Sequence, residues 1–156
     1  MNSNSENPRV GKRFQLAVKE WFEAARNVQY EWEKPVPIGN PAKLHKFDLA
    51  ESTGMIVVEC KCYTWTESGN VPSAKMGFTN EAAFYLSFLP DTVEKIIVMA
   101  KSTHPRRGET LAEYYFRTYR HLLGNIKVME FDMSTGSMRS ISQRNTPNLI
   151  TLSQER

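Results

Sequence analysis

Residues 43–65 read KLHKFDLAESTGMIVVECKCYTW, and this stretch decides which fold the rest of the chain completes. A strand-like segment contains Asp48, a short polar turn follows, and a second segment rich in β-branched and aromatic residues comes next. The pattern predicts a β-hairpin with strands over residues 43–50 and 55–65 around a turn at residues 51–54.

Alternation along the second strand separates its side chains into two sets. Glu59, Lys61 and Tyr63 share one face of the strand, whereas Cys60 and Cys62 point to the other face. A charged pair on one face and an apolar opposite face indicate that one side meets the core and the other side a cleft.

Hairpin geometry predicts where Asp48 lies. If the turn has Ser52 and Thr53 at its tip, Asp48 lies opposite Val57, diagonal to Glu59 and on the same face. A slip of one residue would move Asp48 to the other face, so the prediction depends on the register.

Two carboxylates beside a lysine suit metal-dependent phosphodiester chemistry. Carboxylates are hard oxygen ligands for Mg²⁺, and a bound divalent ion lowers the pKa of its water. Lys61 could orient or deprotonate the attacking water, or stabilise the charge of the transition state. The alternative is a solvated strand face on which Asp48, Glu59 and Lys61 form ordinary ion pairs.

Composition limits the class of protein. The 156 residues suit one domain, and 40% hydrophobic with 24% charged residues are typical of a globular protein. No apolar run approaches the roughly 20 residues that cross a bilayer, and residues 1–10 lack a signal-peptide core, so we expect a cytoplasmic protein with no membrane contact. The two cysteines are expected to be buried and reduced. A net charge of +3 permits nucleic-acid binding without arguing for it.

Periodicity predicts the remaining elements in the order α-β-β-β-α-β-α-β, an α/β fold with a mixed central sheet flanked by helices. We expect a disordered lead-in over residues 1–10, a nuclease-like domain over 11–133 and a polar tail over 134–156. Prolines at positions 35 and 37 indicate that the first strand either lies at an edge of the sheet or leaves the sheet early. The other predicted elements are helices at 11–25, 80–88 and 110–123 and strands at 28–38, 95–101 and 126–131.

The segments Phe47-Asp48 and Glu59-Cys60-Lys61 resemble the motif of the PD-(D/E)XK nuclease superfamily, whose restriction-endonuclease-like core has the order αβββαβ. The resemblance covers about two thirds of the chain, from Gly11 to about Lys101. It implies an Mg²⁺-dependent endonuclease acting on DNA, in which Mn²⁺ could substitute. Asp48 and Glu59 would be the metal ligands and Lys61 would assist the attacking water.

The first helix departs from the pattern of the superfamily. Some members carry a glutamate there that reaches the metal, and this chain has Gln15 at the corresponding position. Gln15 offers an uncharged oxygen, and Glu20 further along the helix is an alternative accessory ligand. Phe47 stands where the motif has proline.

Other residues are candidates for contact with the substrate. Tyr63 continues the face of Glu59 and Lys61 and could contact a phosphate, or simply pack. The candidates for contact with the DNA backbone outside the hairpin are Lys75, Lys101, Arg106 and Arg107. His45 would need the opposite strand face to ligate the metal, so a surface histidine is expected.

Two other functions remain open. A catalytically degenerate relative could bind nucleic acid or a protein partner without cleavage, and Gln15 favours this slightly. An unrelated α+β interaction module would have a different sheet order, with Asp48 pointing away from Glu59. If the chain is a nuclease, a homodimer and a separate targeting partner are both compatible with the sequence.

Overall fold

A computed structural model describes residues 8–143, which form one six-stranded sheet and three helices. The helices are α1 (Pro8–Arg26), α2 (Ser73–Ser87) and α3 (Leu111–Tyr119), and a 3₁₀ turn (Arg120–Leu122) follows α3. The strands are β1 (Tyr30–Ile38), β2 (Lys43–Glu51), β3 (Ile56–Lys61), β4 (Glu94–Ala100), β5 (Lys127–Asp132) and β6 (Ser137–Ser140).

The strands lie in the sheet in chain order, from β1 at one edge to β6 at the other. The pairs β1–β2, β2–β3 and β5–β6 are antiparallel, whereas β3–β4 and β4–β5 are parallel. The predicted α/β class with a mixed sheet flanked by helices is therefore confirmed.

The helices form a layer on each face of the sheet. Phe14, Val18 and Phe22 of α1 pack on one face, in a cluster that includes Val58 and Ile96. Helices α2 and α3 pack together on the other face. The crossovers β3–α2–β4 and β4–α3–β5 progress in the same direction across the sheet, so a shared handedness places both helices on the same side.

Strand β1 lies at an edge, one of the two alternatives that its prolines indicate. Pro35 and Pro37 are both exposed and have no N–H to donate to a neighbouring strand. In a central strand these prolines would leave carbonyl groups of the second neighbouring strand without a hydrogen-bond donor. This sequence therefore suits a strand at the edge of the sheet.

The predicted start of α2 is wrong by seven residues. The helix begins at Ser73 after Pro72 rather than at residue 80, and Thr79 is a buried residue within it whose hydroxyl donates to the Lys75 carbonyl. The error has a physical cause, because α2 carries apolar side chains on its exposed face as well as on its buried face, and the contrast that marks an amphipathic helix is absent.

Other element boundaries also differ from the predicted ones. Helix α1 begins at Pro8, three residues before the predicted start, and β3 ends at Lys61 rather than at residue 65. Strand β6 lies in the segment predicted as a polar tail and pairs with β5. Residues 8–10 of the lead-in predicted over 1–10 are therefore helical, and residues 1–7 and 144–156 lie outside the described residues. Between residues 8 and 143, no helix is both long and apolar enough to cross a membrane.

Candidate active site

The β2–β3 hairpin brings Asp48 and Glu59 together, but with a register that differs from the predicted one by two residues. Leu49 pairs with Val58 and Ala50 with Val57, which places Asp48 level with Glu59 rather than with Val57. Because the difference is an even number of residues, the two carboxylates still share one face of the sheet, as predicted.

Backbone donors of the opposite strand hold both carboxylates. The Cys60 N–H donates to Asp48 Oδ2 at 2.8 Å, and the Asp48 N–H donates to Glu59 Oε1 at 3.3 Å. Next to the paired residues Leu49 and Val58, these two N–H groups therefore bond to side-chain carboxylates of the neighbouring strand rather than to its backbone carbonyls. The two carboxylates are oriented by the sheet itself, and their geometry does not depend on a flexible loop.

The edge strand is distorted beside Asp48. Trp32 pairs with Leu49 and Lys34 with Phe47, so Glu33 lies across from Asp48, and its φ of +44° is in the left-handed region. A non-glycine residue in this region costs of the order of 1 kcal/mol and is found more often near functional sites. The regular ladder is therefore interrupted on both sides of Asp48.

Lys61 completes the predicted triad. Its Nζ lies 3.8 Å from Glu59 Oε2, and both side chains are largely withdrawn from solvent. An ammonium at this distance is an ion-pair partner of Glu59 and also a donor for a water or phosphate oxygen in the cleft. The structure therefore brings Asp48, Glu59 and Lys61 together, and the α+β arrangement with Asp48 turned away from Glu59 is not the one observed.

A cavity of about 230 Å³ opens over the triad. It lies between the hairpin and the side of α2 that faces β2. Its lining residues are His45, Lys46, Asp48, Glu59, Lys61, Tyr63, Phe78, Glu81, Ala82 and Tyr85. The contributions from α2 could not be predicted from the motif, because they depend on how this helix packs against the hairpin.

The electrostatics of the cavity centre on Glu59. Its pKa is raised from the ordinary value of 4.5 to about 8, mainly by burial and also by the negative charge of Asp48, while Lys61 opposes the shift. The ionised form of Glu59 is thus disfavoured as long as only Lys61 compensates two neighbouring carboxylates. An additional positive charge in the cavity would remove this penalty.

His45 is not the surface residue that the strand alternation predicts. Its ring stacks on Tyr85 of α2, with centroids 3.9 Å apart and an interplanar angle of 14°, and it lines the same cavity as Asp48. Burial lowers the pKa of His45, an effect that Asp48 and Glu81 oppose. Sequence reasoning missed His45, Glu81 and Tyr85, and the only available signal was the proximity of His45 to Asp48 in the chain.

Tyr63 lies just after the end of β3 and lines the cavity, and burial raises the pKa of its hydroxyl. Lys75 of α2 lies beside it, with Nζ 5.4 Å from the centroid of the Tyr63 ring and 5.9 Å from that of Phe78. The predicted contact residues Tyr63 and Lys75 are therefore both adjacent to the triad.

The accessory residues predicted on α1 are not brought to the cavity. Helix α1 packs on the opposite face of the sheet, where it contacts the side of β3 that carries Val58 and Cys60. Gln15 does not line the cavity, and Glu20 lines a different one together with Trp21 and Met133.

The remaining predicted DNA contacts lie in a loop after β4 and outside this cavity. Lys101 pairs with Asp132 at 3.5 Å, Arg106 donates to the Ser68 carbonyl at 3.0 Å, and the Arg107 guanidinium lies 5.4 Å from the centroid of the Trp65 ring. All three are exposed, but each also has a structural partner.

The donor set of the cavity suits a hard divalent cation. Two carboxylates offer oxygen ligands, and a cation would favour the ionised form of Glu59, which burial and the charge of Asp48 disfavour. Within residues 8–143, no three side chains of His, Cys, Asp or Glu are grouped so that they could hold a metal ion. Asp48 and Glu59 would therefore share such an ion with water, as is usual for Mg²⁺.

Both cysteines lie beside this site without a disulfide. Cys60 is buried on the α1 face and Cys62 is half-buried, and both are free thiols. Burial raises the pKa of each thiol, which keeps them protonated and poorly nucleophilic.

No family model, curated protein or solved structure matches this chain.

Proposed function

We propose that this protein is an Mg²⁺-dependent endonuclease that hydrolyses DNA phosphodiester bonds, with a restriction-endonuclease-like core of the PD-(D/E)XK type. The observation that carries the proposal is the cavity in which Asp48, buried Glu59 and Lys61 meet, two carboxylates and an ammonium oriented by one hairpin. Carboxylates this close, with the pKa of Glu59 raised to about 8, are costly for stability and thus expected where function requires them.

Asp48 and Glu59 would hold the metal ion, which supplies Lewis acidity and lowers the pKa of a bound water. The residues of the chain contribute orientation and charge. The backbone donors of Cys60 and Asp48 keep the two carboxylates in place before the substrate arrives. Lys61, on the same strand face, would orient the attacking water and stabilise the negative charge that develops on the phosphate oxygens.

His45 and Tyr63 flank this arrangement and offer two further polar groups. The Lys75 ammonium above Tyr63 would contact a phosphate next to the one that is cleaved. Manganese could substitute for magnesium, because it is also bound by oxygen ligands.

Cleavage of DNA in the presence of Mg²⁺ or Mn²⁺ tests the proposal. Plasmid, single-stranded and branched DNA are incubated with the wild type, Lys61→Ala and Glu59→Gln, and Lys12→Ala serves as a matched control because Lys12 is an exposed lysine on the opposite helix layer. We expect metal-dependent cleavage by the wild type and the control, and a loss of at least about 100-fold in both site variants. Equal cleavage by Lys61→Ala would contradict the proposal.

Binding without cleavage is a second candidate, favoured by one observation. The cavity holds two carboxylates from the hairpin, and neither Gln15 nor Glu20 of α1 adds to them. If the wild type cuts no substrate with either metal but shifts DNA in a gel, the chain is a nucleic-acid binder. If it neither cuts nor binds DNA, a protein partner is the remaining candidate.

A further inference from the structure

Three phenylalanines are exposed on α2 and directly after its last residue, and the first of them, Phe78, lines the cavity over the triad. Phe78, Phe84 and Phe88 are 50%, 62% and 47% exposed, although α2 buries its opposite face in the core. Phe84 and Phe88 contact each other edge to face, with centroids 5.0 Å apart. Exposed aromatic residues clustered in this way indicate a binding surface rather than incomplete packing.

This aromatic face is continuous with the candidate active site. A second cavity of about 300 Å³ is lined by Leu44, Tyr85 and Phe88 among others, and it shares His45 and Tyr85 with the cavity over the triad. The two cavities thus form one groove along α2, and the stacked rings of His45 and Tyr85 lie between them.

Lysines line the groove along its length. Lys75 lies at one end over the ring of Phe78, Lys46 lines the cavity over the triad, and Lys43 lines the second cavity. Glu81 is the one carboxylate that α2 contributes to the lining. Positive charges spaced along exposed rings complement a ligand with regularly spaced phosphates and accessible π faces.

Duplex DNA does not present such faces, because its bases are stacked and paired in the interior of the helix. An unpaired strand presents both its phosphates and its bases, and stacking on aromatic side chains is the common way of holding it. We propose that the groove along α2 binds single-stranded DNA, with bases stacked on Phe84 and Phe88 and the backbone led past Lys75 to Lys61. The inference rests on the proposed function, whose substrate structure it specifies.

Binding is measured first without cleavage, by fluorescence anisotropy in EDTA. The probes are a labelled thymidine oligonucleotide of about 16 nucleotides, a hairpin duplex and the uridine RNA of the same length. We expect the single-stranded DNA to bind at least tenfold more tightly than the duplex. Equal or tighter binding of the duplex would overturn the inference, and RNA binding tenfold tighter than DNA would overturn the assignment to DNA.

Variants then locate the site. Phe84→Ala and Phe88→Ala are each expected to weaken binding of the thymidine oligonucleotide about tenfold, the equivalent of about 1.4 kcal/mol and of one lost stacking contact. Phe84→Tyr keeps a ring and is expected to bind like the wild type. Trp32→Ala is the matched control, because Trp32 is a similarly exposed aromatic residue that lies near Lys19 of α1 on the other side of the sheet.

A second copy of the chain is the competing occupant of this face, and light scattering distinguishes it. If Phe84→Ala converts a dimer into a monomer and leaves the affinity for the oligonucleotide unchanged, the aromatic face is a dimer interface and the inference is wrong. The same experiments test the proposed nuclease activity separately from the proposed binding of single strands. Selective binding of single strands that depends on Phe84, without cleavage in Mg²⁺, supports the inference and removes the activity, whereas cleavage of duplex DNA that is indifferent to Phe84 does the reverse.

Discussion

Glu59 is the residue at which stability and proposed function oppose each other. The Glu59 carboxylate is buried beside a second carboxylate, and only Lys61 partly compensates the two charges. A hydrophobic residue at this position would pack against the core without such a penalty. A cation bound in the cavity would compensate the charge of the two carboxylates, and its effect on stability can be measured without any assay of catalysis.

The contribution of Glu59 to the free energy of unfolding is expected to fall as the pH rises from about 4.5 to about 8 when no divalent cation is present. In this window the native state keeps the proton on Glu59, whose pKa is raised to about 8, whereas the unfolded state has lost it at the ordinary value of 4.5. The unfolded state therefore binds fewer protons, and stability decreases with pH by up to a few kcal/mol.

Urea unfolding at about pH 5 and about pH 8 measures this loss, and Glu59→Gln provides the comparison because it cannot ionise. The variant should lose less stability between the two pH values than the wild type. Mg²⁺ should stabilise the wild type more at pH 8 than at pH 5, because metal binding competes with the proton. An identical pH dependence of the wild type and Glu59→Gln would contradict the assignment of the titration.

Asp48→Asn is expected to stabilise the protein at about pH 8 and to remove the proposed metal-dependent activity. The amide oxygen can still accept the bond from the Cys60 N–H, but the charge that opposes ionisation of Glu59 is gone. Since burial is the larger cause of the shift, the gain should be partial, about 1 kcal/mol. Thermal unfolding at pH 8 measures it, and a destabilised Asp48→Asn would mean that the charge of Asp48 is compensated by more than Lys61.

At the scale of elements, two loops beyond the sheet are locked together by His104. The Arg106 and Arg107 N–H groups both donate to its Nδ1, at 3.1 and 3.0 Å, so Nδ1 carries no proton and Nε2–H donates to the Gly69 carbonyl at 2.9 Å. The buried ring of Trp65 lies edge-on to the His104 ring at 4.9 Å. The loop with the arginines is thus held to the loop that connects β3 to α2.

Gly69→Ala is expected to disrupt this lock. A Cβ at position 69 would lie 2.8 Å from His104 Nε2, and the φ of +80° adds the cost of a left-handed conformation. We expect a destabilisation of about 2–4 kcal/mol, of which about 1–2 kcal/mol come from the backbone.

Gly54→Ala is the matched control, because its φ of +77° is nearly the same and a Cβ there would meet nothing within 4 Å. Chemical denaturation of both variants separates the two contributions. If Gly69→Ala costs no more than Gly54→Ala, the ring of His104 moves aside freely and does not lock the loops.

For the whole molecule, strand β4 contributes to the hydrophobic clusters on both faces of the sheet. Ile96 packs with α1 on one face of the sheet and Ile97 with α2 and α3 on the other, and both are fully buried. Neighbouring residues of a central strand alternate between faces, so two adjacent isoleucines each stabilise a different layer. The layers should therefore unfold together.

Ile96→Ala and Ile97→Ala are each expected to destabilise the protein by about 2–5 kcal/mol, the usual cost of a truncated aliphatic side chain in a core. Each variant should retain a single transition, with the same midpoint by circular dichroism and by tryptophan fluorescence. Separate transitions in either variant would mean that the α1 layer and the α2–α3 layer unfold independently.

The sequence alone predicted the order of the elements from α1 to β5, the edge of the sheet as one of two alternatives for β1, and the shared face of Asp48, Glu59 and Lys61. Each of these follows from local rules: the period of a strand, the missing N–H of proline, and a parity that survives a register error of two residues. Helix α3 was also predicted, and the structure adds that Thr110 and Glu113 form a capping box at its start.

Only the tertiary structure decided what surrounds the triad. The start of α2, the place of His45 in the cavity and the exclusion of Gln15 and Glu20 all depend on which face of the sheet each helix covers. That choice is made by the direction and handedness of the crossovers and by contacts between residues far apart in the chain. The pKa of Glu59 is decided in the same way, because burial is its main cause, and burial belongs to the packed molecule and not to the strand.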